Sequence, residues 1–135
     1  MSFDTIYFVR HGETDMNLEK RCQGRIDIPL NQTGRQQAAE IALKFENKKI
    51  DSIYSSPLSR AVESIRPLAE TRGIVPVTLD WLTEIDHGEL EGFRAGEGTA
   101  RQGEIMAAWD STPEKVKFPG GESLAEVAAR VATGL

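Results

Sequence analysis

Apolar residues in this chain alternate between short unbroken runs and stripes at helical spacing. Residues 5–9, Thr-Ile-Tyr-Phe-Val, are β-branched or aromatic with no polar alternation, the pattern of a strand buried on both faces. Thr33 is the expected N-cap of the next element, Gln36 completes a capping box, and Ala38, Ile41, Ala42 and Phe45 recur along one helical face. Ile50 to Tyr54 reads as a second buried strand. Ser56 is then placed to cap a helix with Pro57 at its first position, a stripe of Leu58, Ala61, Val62, Ile65 and Leu68, and Gly73 at its end. Pro67 is expected to kink or shorten that helix.

Residues 74–79 read as a third strand, and Pro76, which cannot donate a ladder hydrogen bond, puts it at an edge. Residues 80–98 have loop character, and a helix is expected over about 99–110. Gly120-Gly121 forms a turn, after which Ser123 caps a last helix carrying Leu124, Val127, Ala128 and Val131. Strands alternating with helices predict an α/β protein with a mostly parallel sheet, as a single domain over 1–135.

Composition narrows the function. The 135 residues are 39% hydrophobic and 27% charged, with a net charge of −5, so a packed core is expected and a general nucleic-acid binder is not. A single cysteine, Cys22, rules out an internal disulfide and a thiolate-rich metal site. No apolar stretch reaches the roughly 20 residues needed to cross a bilayer, and the first ten residues lack a signal-peptide pattern; a cytoplasmic location is the expectation.

The first strand runs straight into Arg10-His11-Gly12-Glu13-Thr14. Ligands of open α/β sheets bind at the carboxyl ends of strands, so the position itself favours chemistry. Arginine offers a planar fork of donors for phosphate oxygens. A neutral imidazole can attack phosphorus, and neighbouring guanidinium groups help keep it neutral. A strand-end histidine satisfied by backbone is the alternative for this triplet taken alone.

Further segments decide between the two. Arg10 to Thr14 with Asn17, Cys22-Gln23-Gly24-Arg25, Pro29 to Gly34, Ser55 to Ala61, Glu84 to Gly92 and Pro119 to Ser123 occur in an order that resembles the histidine phosphatase superfamily, also called the phosphoglycerate mutase-like family. The resemblance implies a three-layer α/β/α fold with a mostly parallel central sheet. It also implies that His11 takes the phosphoryl group, that Arg10 and Arg60 clamp it, and that Asn17, Gln23 and Gly24 line the pocket. Glu84 matches the general acid, with no metal or other cofactor required. Asp86, Glu89 and Glu91 read as a solvated acidic loop, and His87 as packing or lining the pocket entrance. Trp109 and Phe93 are candidates for touching a leaving group, with core packing the simpler role.

The family's second catalytic histidine, carried before a glycine on a later strand, has no counterpart before Leu135. That strand lies beside the first in the family sheet, so its loss is expected to leave unpaired edges and an uncovered core face. The chain is therefore expected to be a fragment of a longer protein. The resemblance implies phosphomonoester hydrolysis through phosphohistidine on a small-molecule phosphate ester, with neither nucleic acid nor membrane as partner and a homo-oligomer left open. Phosphoglycerate mutase is the second enzymatic reading, disfavoured by the short segment from Gly92 to Gly120. A non-catalytic phosphate-binding module is the third, suggested by the missing histidine.

Overall fold

The computed structural model describes residues 4–135. Its elements are α1 (Asp15–Leu18), α2 (Gln32–Lys44), β1 (Tyr54–Ser55), α3 (Ser59–Arg72), β2 (Val77–Thr78), α4 (Ala100–Ser111) and α5 (Leu124–Gly134). Single turns of 3-10 helix at Asp80–Leu82, Gly88–Leu90 and Pro113–Lys115 punctuate the segments between. β1 and β2 pair in parallel, Tyr54 opposite Val77 and Ser55 opposite Thr78, with α3 as the crossover. The α/β class expected from the sequence is the one observed, with helices around a small parallel sheet.

Two apolar clusters hold the chain together. Ile53, Ile65, Leu68 and Ala69 are buried between α2, α3 and β1, with Ile41, Ala42, Phe45, Ile50 and Ile74 around them. Ile41, Ala42, Phe45, Ile65 and Leu68 of this cluster are residues that helical spacing picked out. Ile85, Leu90, Val116 and Phe118 form the second cluster, closed by Met106 and Trp109 of α4 and Val127 of α5. At about 25 cal/mol per Å² of apolar surface removed from water, each cluster stabilises the contacts between elements far more than propensity does.

The expected first strand is corrected by the structure. Residues 5–9 form no regular element, and no backbone hydrogen bond joins residues 5–10 to any other described residue. Ile6 and Phe8 are exposed, Phe8 by 94%, and Tyr7 meets Phe45 edge-on with ring centroids 5.1 Å apart. The sequence pattern is that of a doubly covered strand, whereas no described segment supplies a ladder partner.

Helix boundaries show smaller corrections. Asn31, not Thr33, caps α2: its Oδ1 accepts from Gly34 N at 2.9 Å. Ser56 does not cap α3, whose N-cap is Leu58 with no side-chain bond of its own. The carboxylate of Asp27 takes that role from a distant loop, accepting from Ser59 N at 2.8 Å and from Ser59 Oγ at 3.2 Å, where a negative charge also suits the helix dipole. Pro67 lies inside α3 without shortening it, and Gly73 ends the helix in the left-handed conformation at φ 62°. The capping boxes at Thr99 and Ser123 start α4 and α5.

The loop carrying His11 is pressed against the first turn of α2. A Cβ on Gly12 would lie 2.6 Å from the carbonyl oxygen of Gly34, and one on Gly34 would collide with the carbonyl of Glu13. Helix propensity alone gives Gly34→Ala a gain of about 1 kcal/mol. The backbone contact reverses the sign, and a loss of about 1–3 kcal/mol is expected in urea denaturation of the variant.

Candidate active site

The residues at the end of the extended segment are fixed from the C-terminal side. Gly12 N donates to Ser64 Oγ at 2.8 Å, and that hydroxyl donates to Arg60 O at 2.6 Å, one turn back on α3. Ser64 is 1% exposed, so Gly12 N–H has its partner deep in the protein. Glu13 N donates to Gln37 Oε1 at 2.8 Å, and Asn31 N to Glu13 O at 3.0 Å, which ties the same loop to α2.

His11 Nδ1 lies 2.7 Å from Gly12 O. A carbonyl oxygen only accepts, so Nδ1 carries the proton and the neutral ring keeps its lone pair on Nε2. Burial lowers the His11 pKa, against the upward pull of the Gly12 carbonyl; the charges of Arg60 and Arg10 lower it further and Glu84 raises it. The net shift is downward, so the imidazole is neutral at neutral pH.

A cavity of about 370 Å³ opens at His11, lined also by Arg10, Asn17, Gln23, Gly24 and Glu84. Sequence reasoning named all of these. Asn17 does more than line it: its Oδ1 accepts from Thr14 N at 3.1 Å in the capping box that starts α1. Thr14, with no exposed surface, donates its hydroxyl hydrogen bond to Gln23 Oε1. Glu84 Oε1 accepts from Ile85 N at 2.9 Å.

Arg60 stands apart from the cavity lining. It is 1% exposed, and its terminal nitrogens donate to Ile26 O at 2.9 Å and Gly24 O at 2.6 Å. Its guanidinium holds the pocket loop from behind, and its charge reaches His11.

Several contributors were missed by the sequence reading. The loop bearing Glu84 is held by Arg130 of α5, which donates to Trp81 O at 2.6 Å, Thr83 O at 2.7 Å and Glu122 Oε1 at 2.8 Å. Glu122 also accepts from Asp86 N at 3.0 Å and pairs with Arg25 at 3.1 Å. Nothing local in the sequence signals these long-range pairs, whereas Ser64 could have been found as the residue one turn beyond Arg60 on the same face. The acidic loop is only partly solvated. Glu89 is exposed, but Glu91 Oε1 accepts from Arg25 N at 2.7 Å and His87 N at 3.2 Å, and Asp86 Oδ1 from Gly88 N at 2.8 Å. Trp109 and His87 line the cavity, while Phe93 does not, its carbonyl instead accepting from Cys22 N at 2.7 Å.

Taken together, these elements define an α/β protein with a neutral, oriented histidine in a cavity whose lining also includes an arginine and a carboxylate. Residues 6–135 match the histidine phosphatase superfamily (branch 1), and the chain belongs to that family. It is 37% identical over 126 residues to phosphoserine phosphatase 1 of Hydrogenobacter thermophilus, covering 93% of this chain and 60% of that protein. It is likewise 37% identical over 130 residues to the uncharacterized phosphatase PhoE of Bacillus subtilis, covering 96% of this chain and 62% of that one. A structure of a mycobacterial glucosyl-3-phosphoglycerate phosphatase in complex with VO3 superposes with TM-score 0.82 at 33% identity, covering 91% of this chain and 63% of that one. The chain spans about three-fifths of the length of the curated relatives it matches. Among the described residues no helix is long and apolar enough to cross a membrane.

Two measurements probe the site's construction. Ser64→Ala strands Gly12 N–H without an acceptor, and a loss of about 1–3 kcal/mol is expected in denaturant unfolding. Arg10→Met removes a cation that disfavours the imidazolium, so the His11 pKa rises; an NMR titration of its Cε1 proton that leaves the midpoint unmoved or lower would contradict this electrostatic account.

Proposed function

We propose that this chain carries the phosphoryl-transfer site of a phosphomonoester hydrolase that works through phosphohistidine. The observation that carries the reading is the Nδ1 bond to the Gly12 carbonyl, which leaves Nε2 as the only nucleophilic nitrogen of a neutral ring in a cavity that also presents Arg10 and Glu84. The relatives' names support it, as does the vanadate bound by the mycobacterial phosphatase, since vanadate mimics a phosphoryl group. The ligand is a small-molecule phosphate ester.

The lone pair of His11 Nε2 forms the N–P bond while the P–O bond to the leaving alcohol breaks. Glu84, protonated, gives its proton to the departing oxygen. Water then attacks phosphorus from the vacated side, the resulting carboxylate takes a proton from it, and the N–P bond breaks to restore the neutral imidazole. Arg10 binds the phosphoryl oxygens, with Asn17, Gln23 and the Gly24 backbone around them. Arg60 acts from behind the loop, by holding Gly24 and Ile26 and by keeping the imidazolium unfavourable.

His11→Ala is expected to lower phosphate release from an aryl phosphate by at least about 10³ and to abolish acid-labile phosphate trapped on the protein. Glu84→Gln should slow turnover by about 10²–10⁴ while leaving the trapped phosphate detectable. Because burial and the two arginines hold His11 below the ordinary value, activity should persist as pH falls through about 6.5 and be lost only as the ring protonates below it. Wild-type protein that releases no phosphate and traps none would overturn the proposal.

A further inference from the structure

The cavity has a second wall that the phosphoryl chemistry leaves unused. Cys22, His87, Met106 and Trp109 line it, and all but His87 pack directly on the second apolar cluster. His87 joins them through its ring, edge-on to Phe118 at 4.6 Å and to Trp109 at 5.8 Å between centroids, while Trp109 and Phe118 lie 5.0 Å apart. The three rings form one interlocked unit at the geometry aromatic pairs favour.

His87 is the second histidine of the chain and an obvious candidate for proton transfer, yet its placement argues otherwise. Nδ1 is buried and makes no hydrogen bond, the only such side-chain nitrogen or oxygen among the described residues. It faces Gly24, where a Cβ would sit 2.8 Å from it and would also collide with Glu91, and where φ is +50°. Among the described residues no hydrogen bond to Nδ1 orients the imidazole, as a proton-transfer role would require. Ring contacts and the Glu91 bond to its backbone hold it instead.

The wall is also uncharged at neutral pH. Burial pushes the Cys22 thiol up to about 11, helped by Glu91 and Glu84, and burial lowers the His87 pKa. Of the cations at the cavity besides Arg10, Arg21 is committed to Glu19 at 2.6 Å, Glu97 at 2.7 Å and the Gly92 carbonyl at 2.8 Å. Lys20 is exposed. A carboxylate set against the Met106 side chain and the Trp109 ring would lose hydration that these apolar surfaces do not replace, whereas an apolar or aromatic body gains by burial.

We infer that Cys22, His87, Met106 and Trp109 form the leaving-group subsite, that it takes phosphate esters of uncharged aromatic or apolar alcohols, and that His87 serves as an aromatic positioning residue for Trp109. This rests on the phosphoryl site proposed above and adds the substrate class. Phosphonates test it without turnover, because their P–C bond is not cleaved. Isothermal titration of the 135-residue chain should show benzylphosphonate binding at least about tenfold tighter than methylphosphonate, with phosphonoacetate no tighter than methylphosphonate. Trp109→Ala should narrow the benzyl-to-methyl ratio by about tenfold. His87→Leu should narrow it too, and His87→Phe, which keeps the ring contacts, should restore it.

Equal affinities for benzyl and methyl compounds, tighter phosphonoacetate, or a ratio indifferent to both Trp109→Ala and His87→Leu would overturn the inference. Near-UV circular dichroism identifies a variant that has lost its fold, and in that case the three wild-type affinities decide alone. The aryl preference without trapped phosphohistidine would sink the proposed reaction and leave the subsite standing; phosphohistidine without the preference does the reverse. Binding of none of the phosphonates overturns both.

Discussion

A buried guanidinium organises the site. Arg60 sits in the first turn of α3 with 1% of its surface exposed, and two of its nitrogens end on the carbonyls of Gly24 and Ile26. A charge taken out of water is tolerated only when its donors are met, and charge-assisted bonds to carbonyls meet them here. The loop that supplies those carbonyls returns the favour through Asp27, which caps the helix on which Arg60 stands. Loop and helix therefore stabilise each other, and removing either side leaves a buried polar group unmatched.

From that junction the site builds outward along α3. Arg60 O accepts from Ser64, and Ser64 accepts from Gly12 N–H, so the backbone beside His11 takes its position from the helix that carries the arginine. A second network, Arg130 with Glu122 and Arg25, fixes the loop bearing Glu84. His11 and Glu84 thus line one cavity from segments far apart in sequence, and two arginines that bind backbone carbonyls hold the loops around them.

Much of this was legible from residue patterns, and the remainder was hidden for a physical reason. The stripes Ala38–Phe45 and Leu58–Leu68 were read correctly because burial of one helical face dominates their energetics. The cap of α3 was misassigned to Ser56 because its true cap, Asp27, is remote in sequence, and local rules do not see remote partners. The run at 5–9 was read as a buried strand from side chains alone, but a strand also needs neighbours to bond with. Cavity residues around His11 were found because they cluster in sequence motifs. The role of Arg60 as an anchor for the loop, and of Glu91 as an acceptor for two backbone N–H groups, depends on three-dimensional contacts that no motif spells out.

The bare stretch from Ile6 to Val9 bears on how His11 is held. The histidine is moored on one side only: downstream to Ser64, Gln37 and Asn31, upstream to no described residue that shares a backbone hydrogen bond. Local opening is easiest where backbone amides have no acceptors and side chains little burial, so residues 5–10 exchange their amide protons first and the loop from Gly12 onward much later. The boundary between those two regimes falls at His11 itself. His11 adjoins the residues anchored to α2 and α3, and its position is inherited from those on its C-terminal side.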